Sequence, residues 1–136
     1  MQLKQWQTNL LEKLDGWHEL ENSSSMTTNE WVEIAQNVVQ IPANQITELT
    51  NLEKLNLARE YGPLFLKIKE KVPHGKFKTV LGQLFPKISY PKANRWMLIA
   101  KQELKVAEAM SLHPTVMWGP KKMMDYLNGK WMPDAR

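Results

Sequence analysis

The sequence predicts a small all-α protein, and three observations lead to this fold class. Apolar residues recur every three or four positions along most of the 136-residue chain, which is the period of an α-helix. No stretch alternates apolar and polar residues in the way that a half-buried strand does. Prolines stand at the ends of the periodic segments, where they stop helices. These features together predict about five to six helices.

Composition limits the functions that are open to the chain. It contains no cysteine, which excludes disulfides, zinc–thiolate sites and thiol nucleophiles. The first residues lack the uninterrupted apolar segment of a signal peptide, and nowhere do about 18 apolar residues run together as a membrane span requires. We therefore expect a cytoplasmic protein without membrane association, in the host cytoplasm if a phage encodes it.

The first predicted helix is an amphipathic arm over residues 1–21. A polar segment at 22–29 follows it and predicts a flexible linker to a helical body at 30–136. An amphipathic helix on a tether must bury its apolar stripe, either by folding back on the body or by pairing with another chain. In the second case the chain is an oligomer, with a dimer favoured. The stripe, which is the candidate oligomerisation surface, consists of Leu3, Trp6, Leu10, Leu14 and Trp17.

Two further helices are predicted in the first part of the body. One follows the linker and ends at Pro42. The next begins at Asn44 or Thr47 and continues through a kink at Pro63 as far as Val72, because helical spacing of apolar residues resumes after the proline.

Residues 73–106 predict a helix-turn-helix-like unit. A short helix begins near residues 74–76 and ends at Pro86. Its apolar face is formed by Phe77, Val80, Leu81, Leu84 and Phe85. After a tight connection, Ser89 is a good N-cap and Pro91 lies in the first turn of a second helix that runs to about Met110. Its inward-facing residues are Ala93, Trp96, Met97, Ile99 and Ala100.

Charge is distributed unevenly along the chain and points to a polyanion partner for the second half. Residues 1–62 carry four basic and nine acidic residues, a net charge of −5, whereas residues 63–136 carry fourteen and five, a net charge of +9. Lysine and arginine bind phosphates or guanine, asparagine pairs with adenine, and a serine at a helix start holds a phosphate. The candidate nucleic-acid-binding residues are Lys76, Lys78, Lys87, Ser89, Tyr90, Lys92, Asn94 and Arg95. A solvated lysine-rich surface on an ordinary helix pair is the alternative.

The same segment resembles a phage-, plasmid- and bacterial-associated family of uncharacterised proteins whose members read PHGEFxxWL and then FSxRTAQRYMRIA. The resemblance covers about forty of the 136 residues. The matching residues are Pro73, His74, Gly75, Phe77 and Leu81 in the first part, and Ser89, Ala93, Arg95, Met97, Ile99 and Ala100 in the second. The chain departs from the pattern at Lys76, at Val80 and at Tyr90-Pro91-Lys92. The resemblance implies a mobile-element context and a helix-turn-helix-like module.

The C-terminal tail predicts one more helix, from Gly119 or Pro120 to Leu127, with Asn128-Gly129 as its stop. Lys121 and Lys122 are expected to extend the basic surface. The large apolar and aromatic residues of the tail are expected mainly to pack, with a partner site as the alternative. They are Trp118, Met123, Met124, Tyr126, Leu127, Trp131 and Met132.

These observations favour a non-enzymatic DNA-binding protein with double-stranded DNA as its partner. It would act as a regulator, or as a replication or partition accessory, of a phage, plasmid or other mobile element. No nucleophile elbow, glycine-rich phosphate loop or paired acidic motif is found, and the three histidines lack metal-ligand spacing, so no enzyme activity, cofactor or metal is expected. The alternatives are a module that inhibits or adapts a host protein, and a small virion or packaging component.

Overall fold

The computed structural model describes residues 4–18, 50–72 and 75–133. Within these ranges the chain forms helices and no strand, which confirms the predicted all-α class. The helices are α1 (Gln5–His18), α2 (Asn51–Lys71), α3 (Phe77–Leu84), α4 (Tyr90–Lys101), α5 (Glu103–Leu112) and α6 (Pro120–Leu127).

The chain divides into two compact units. The described part of unit 1 comprises α1, the second part of α2 from Leu64, α3 and the connection as far as Tyr90. Unit 2 comprises the first part of α2, up to Pro63, and the chain from Pro91 onward, with most of α4 and all of α5 and α6. The predicted linker at 22–29 and the helix predicted to follow it lie outside the described residues.

Unit 1 buries the apolar face that the sequence predicts for its short helix. All five predicted residues of this face, from Phe77 to Phe85, are buried, and α3 ends one residue before Phe85. Phe65 of α2 meets Phe85 edge to face, with ring centroids 5.2 Å apart. The start of the next helix at Tyr90 agrees with the predicted cap at Ser89.

The arm helix α1 belongs to unit 1. Leu10 and Leu14 are fully buried within the single chain, and Trp6 is half-buried. This burial corresponds to the fold-back arrangement of the stripe, and oligomerisation through it stays a prediction. Leu3 and the side chain of Trp17 lie outside the described residues.

Helix α2 begins at Asn51, and the predicted starts at Asn44 and Thr47 are wrong for this helix. The reason is a reciprocal cap at Thr50. Its Oγ1 accepts a hydrogen bond from the Glu53 N–H at 3.2 Å, while its own N–H donates to Oε1 of Glu53, also at 3.2 Å. The helix then continues across Pro63 to Lys71, as predicted.

The helix predicted to run from Ser89 to Met110 is broken, and that prediction is wrong. Gln102 leaves the helical conformation, with φ −117° and ψ 32°, so α4 ends at Lys101 and α5 begins at Glu103. The carboxylate of Glu103 accepts hydrogen bonds from Arg59 of α2, with Nε 3.0 and 3.2 Å from its two oxygens. This pair ties the start of α5 to α2 in unit 2.

Gly62 lies where α2 and α4 pass very close to each other. A Cβ atom at this position would lie 2.4 Å from the carbonyl oxygen of Trp96 and 2.8 Å from Cβ of Ala100. The preceding residue, Tyr61, adds an aromatic contact to this approach, with its ring centroid 6.3 Å from that of Trp96. Only glycine permits this approach without a shift of backbone.

Replacing Gly62 with alanine is therefore expected to lower the free energy of unfolding by about 1–3 kcal/mol, because the helices must move apart. Gly82→Ala is the matched control, since Gly82 is helical and exposed and a Cβ there meets nothing within 4 Å. The control should raise stability by about 0.5–1 kcal/mol through helix propensity. Urea unfolding measures both values, and an equal effect of the two substitutions would contradict the close approach.

Candidate nucleic-acid interface

A groove of about 850 Å³ lies on unit 2. Its walls come from the first part of α2, from α4, and from α6 with the segments on either side of it. Five of the residues that line it are basic and one, Asp125, is acidic. The basic residues are Lys54, Lys92, Arg95, Lys121 and Lys122. This excess gives the groove a positive potential that attracts anions.

Three of the five cations of the groove keep their charged groups available. Arg95 and Lys121 are exposed, whereas Lys54, Lys92 and Lys122 are half-buried and lay their aliphatic stems along the protein. Among the described residues, no carboxylate forms an ion pair with Lys54, Arg95 or Lys121. An anionic ligand would therefore not have to displace an internal partner from these three groups.

Helix α4 presents Lys92 and Arg95 through ordinary helical spacing. Ala93 and Trp96, one position after each of them, are buried and hold the helix against the rest of the chain. Residues three apart lie on one side of a helix. Four of the five residues predicted to face inward on α4 are buried, which confirms the prediction for them, and the fifth, Ala100, is half-buried.

Helix α6 supplies two more cations at its first turn. Gly119 is its N-cap and Pro120 its first residue, as the sequence predicts. A Cβ atom on Gly119 would lie 2.9 Å from Cβ of Asn51, so this start lies close to the start of α2. Lys121 and Lys122 add charge to the positive end of the helix dipole, which is unfavourable until an anion binds there.

The end of α6 turns the chain back toward the groove. Asn128 is the C-cap and Gly129 adopts a left-handed φ of 74°. The N–H of Lys130 donates to the carbonyl of Asp125 at 2.8 Å, and that of Gly129 donates to the carbonyl of Tyr126 at 3.1 Å. These two bonds form a Schellman motif, which confirms the predicted stop and leads to Trp131 at the groove wall.

Trp131 is held from two sides. Its ring is perpendicular to that of Trp118, at an angle of 89° with centroids 5.6 Å apart. Trp118 is itself buried and donates from Nε1 to the carbonyl of His113 at 3.1 Å. The ammonium of Lys122 lies over the Trp131 ring, 5.1 Å from the centroid, in a cation–π contact.

The structure brings only part of the predicted site together. Lys92 and Arg95 line the groove, and so do Lys121 and Lys122, whereas Asn94 is exposed on α4 outside its lining. The remaining predicted residues are exposed in unit 1 and are Lys76, Lys78, Lys87, Ser89 and Tyr90. Tyr90 is 39% exposed and packs edge to face on Phe77, with Nζ of Lys78 5.9 Å from its centroid.

Sequence reasoning missed Lys54 and the groove-lining position of Trp131. Lys54 belongs to the half of the chain with net negative charge, so a comparison of the two halves hides it. Its helical spacing with Asn51 and Leu57, which also line the groove, was the available signal. Trp131 packs on Trp118, as expected for the tail, but it also forms part of the groove wall.

Comparison of the chain with protein-family models, with curated proteins and with solved structures found no match. In the described part of the chain, no group of three or more histidine or acidic side chains could hold a metal ion. None of the helices found there has the length and apolar character needed to cross a membrane.

Replacing Gly129 with alanine is expected to lower the free energy of unfolding by about 1 kcal/mol, because a Cβ disfavours the left-handed backbone. Gly129→Asn is the matched control, since asparagine tolerates this conformation and should cost less. Thermal unfolding followed by near-ultraviolet circular dichroism reports both stability and the packing of the tryptophans. Identical melting of the two variants would argue against a strained turn.

Proposed function

We propose that this chain is a non-enzymatic DNA-binding protein that holds the phosphates of double-stranded DNA at the basic groove of unit 2. The observation that carries the proposal is the set of five basic side chains, from three helices, that surround the groove against one acidic group. Phosphate contacts supply most of the affinity of proteins for DNA and also position them on the duplex.

The start of α4 supports a further role in reading bases. Asn94 and Arg95 are exposed there, next to the half-buried Lys92. Arginine pairs with the guanine edge through two hydrogen bonds and asparagine pairs with adenine in the same way. In this proposal Lys92 and Arg95 anchor the phosphates, while Asn94 contacts the bases in the major groove.

The order of elements supports the same interpretation. An eight-residue helix, a short connection and a twelve-residue helix that starts after a serine follow one another from α3 to α4. This is the order of a helix-turn-helix, whose second helix enters the major groove by its N-terminal end. Together with the family resemblance, it supports a cytoplasmic regulator, or a replication or partition accessory, of a phage or plasmid that acts as a dimer.

The proposal predicts strong and specific salt dependence. A protein that neutralises five phosphates has a slope of about −4.5 in a plot of log K against log salt concentration. The double variant Lys92→Ala/Arg95→Ala should reduce the magnitude of this slope by about 2 and weaken binding at every salt concentration. A fluorescence anisotropy titration of a labelled duplex at several salt concentrations measures both effects.

The matched control removes two positive charges elsewhere in the same unit. Lys101 and Lys105 are exposed and do not line the groove, so Lys101→Ala/Lys105→Ala should leave most of the slope and affinity in place. If wild type and both variants bind equally, weakly and without dependence on salt, DNA binding at the groove is ruled out.

A protein-interaction module is the second candidate function, and the outer face of α5 favours it. Leu104 is 88% and Leu112 is 61% exposed, which is unusual for large apolar side chains of one short helix. The same titration separates the candidates, because such a module would bind DNA weakly and would not be affected by the loss of Lys92 and Arg95.

A further inference from the structure

We infer that the groove of unit 2 accepts an unpaired segment of a DNA strand, with one base stacked on Trp131 and the adjoining phosphates on the surrounding lysines and Arg95. This inference rests on the proposed function and adds that, beside the phosphates of a duplex, the groove takes an adjoining unpaired segment. In a duplex the base faces are covered by their neighbours, so phosphates and base edges are what it offers to a protein. An aromatic ring in the wall of a basic groove can stack on a base only when that base is unpaired.

The dimensions of the groove agree with a short piece of single strand. A volume of about 850 Å³ is that of a site for an organic ligand, and such sites are about 300–1,000 Å³. Single-strand-binding surfaces combine a positively charged groove that follows the backbone with aromatic rings on which bases stack. Both parts are present here, in the basic side chains of three helices and in Trp131.

The contact between Lys122 and Trp131 identifies a face of the indole that a side chain of the groove covers. Nζ of a lysine that lines the groove lies over this ring, 5.1 Å from its centroid. A flexible side chain can therefore reach this face from the groove, and a base can reach it when the lysine moves aside. Trp118 holds the ring perpendicular to its own, so the ring itself is already in position.

The relative energies favour exchange of the ammonium for a base. A cation–π contact at a solvated site stabilises less than a base stacked on an aromatic side chain does. The displaced ammonium of Lys122 then becomes free to neutralise the phosphate beside the stacked base. Lys122 thus covers the stacking face of Trp131 when no DNA is bound.

The flanking residues fit the same ligand. Met117 also lines the groove and is 79% exposed, so it offers a polarisable apolar surface to the same ligand. Lys121 stands one residue before Lys122 and is exposed in the first turn of α6. Both lysines line the groove together with Trp131 and could neutralise the phosphates beside a stacked base.

The test measures the affinity of the full chain for three fluorescein-labelled DNA ligands. They are a blunt duplex, the same duplex with a single-stranded overhang, and a thymidine oligonucleotide of about ten nucleotides, which is within the usual size of a single-strand-binding site. Wild type should prefer the overhang to the blunt duplex. Trp131→Leu keeps an apolar side chain against Trp118 but cannot stack, and should lose roughly five- to hundredfold in affinity for the overhang and the oligonucleotide. Its affinity for the blunt duplex should hardly change.

Two controls make the result specific to stacking. Trp131→Phe restores an aromatic ring and should recover much of the preference for unpaired DNA. Met132→Ala changes the next residue, which is 66% exposed and does not line the groove, and should behave as wild type. Thermal unfolding of each variant shows whether a loss of binding comes from loss of the fold, in which case blunt-duplex affinity falls too.

The possible failures are distinguishable. If wild type binds the blunt duplex in a salt-dependent way but Trp131→Leu binds all three ligands as wild type does, the inference is overturned and the proposed function stands. If no ligand is bound in a salt-dependent way by any of the proteins, the proposed function fails and the inference with it.

Discussion

At Gly62 the backbone of α2 approaches α4 so closely that a Cβ atom there would overlap the carbonyl oxygen of Trp96. A crossing of this kind sets the axial position of one helix on the other, because such a close approach requires a residue without a side chain at the point of contact. Lys54 lies about two turns before Gly62, and Lys92 lies about one turn before Trp96. The crossing therefore determines that cations from two distant parts of the chain line the same groove.

A second constraint is the pairing of Arg59 with Glu103, which joins α2 to the start of α5. The pair uses the carboxylate of Glu103 in bonds to the guanidinium, which also donates to the sulfur of Met110 at 3.3 Å. Neither residue of this pair lines the groove, where five basic groups stand against one acidic group. The same pair holds the residue that follows Gln102, where α4 has ended and α5 begins.

Local signals made much of the fold predictable, and contacts between distant residues explain what was not. Proline and serine placed α3 and the start of α4, and Asn128-Gly129 placed the end of α6, because each acts on its own backbone. The start of α2 also has a local signal, the cap formed by Thr50 and Glu53, but the prediction placed the start at the earlier capping residues Asn44 or Thr47. The break at Gln102 had none, since the next residue, Glu103, is tied to Arg59, 44 positions earlier in the chain. The same limit applies to the site: Lys92 and Arg95 share a helix, whereas Lys54 joins them only through tertiary packing.

The tryptophans of the tail serve the fold and the candidate site together. An eight-residue helix with two lysines in its first turn is unstable on its own, because helix nucleation is costly and those charges oppose the dipole. Its stability must come from packing, through the buried Met123 and through Trp118, which meets both Tyr126 and Trp131 edge to face. Trp131, which packs on the anchoring ring of Trp118, is also part of the wall of the groove. Substitutions that remove aromatic packing here would lower stability and ligand affinity together, and only replacements that keep the packing while changing the ring can separate the two roles.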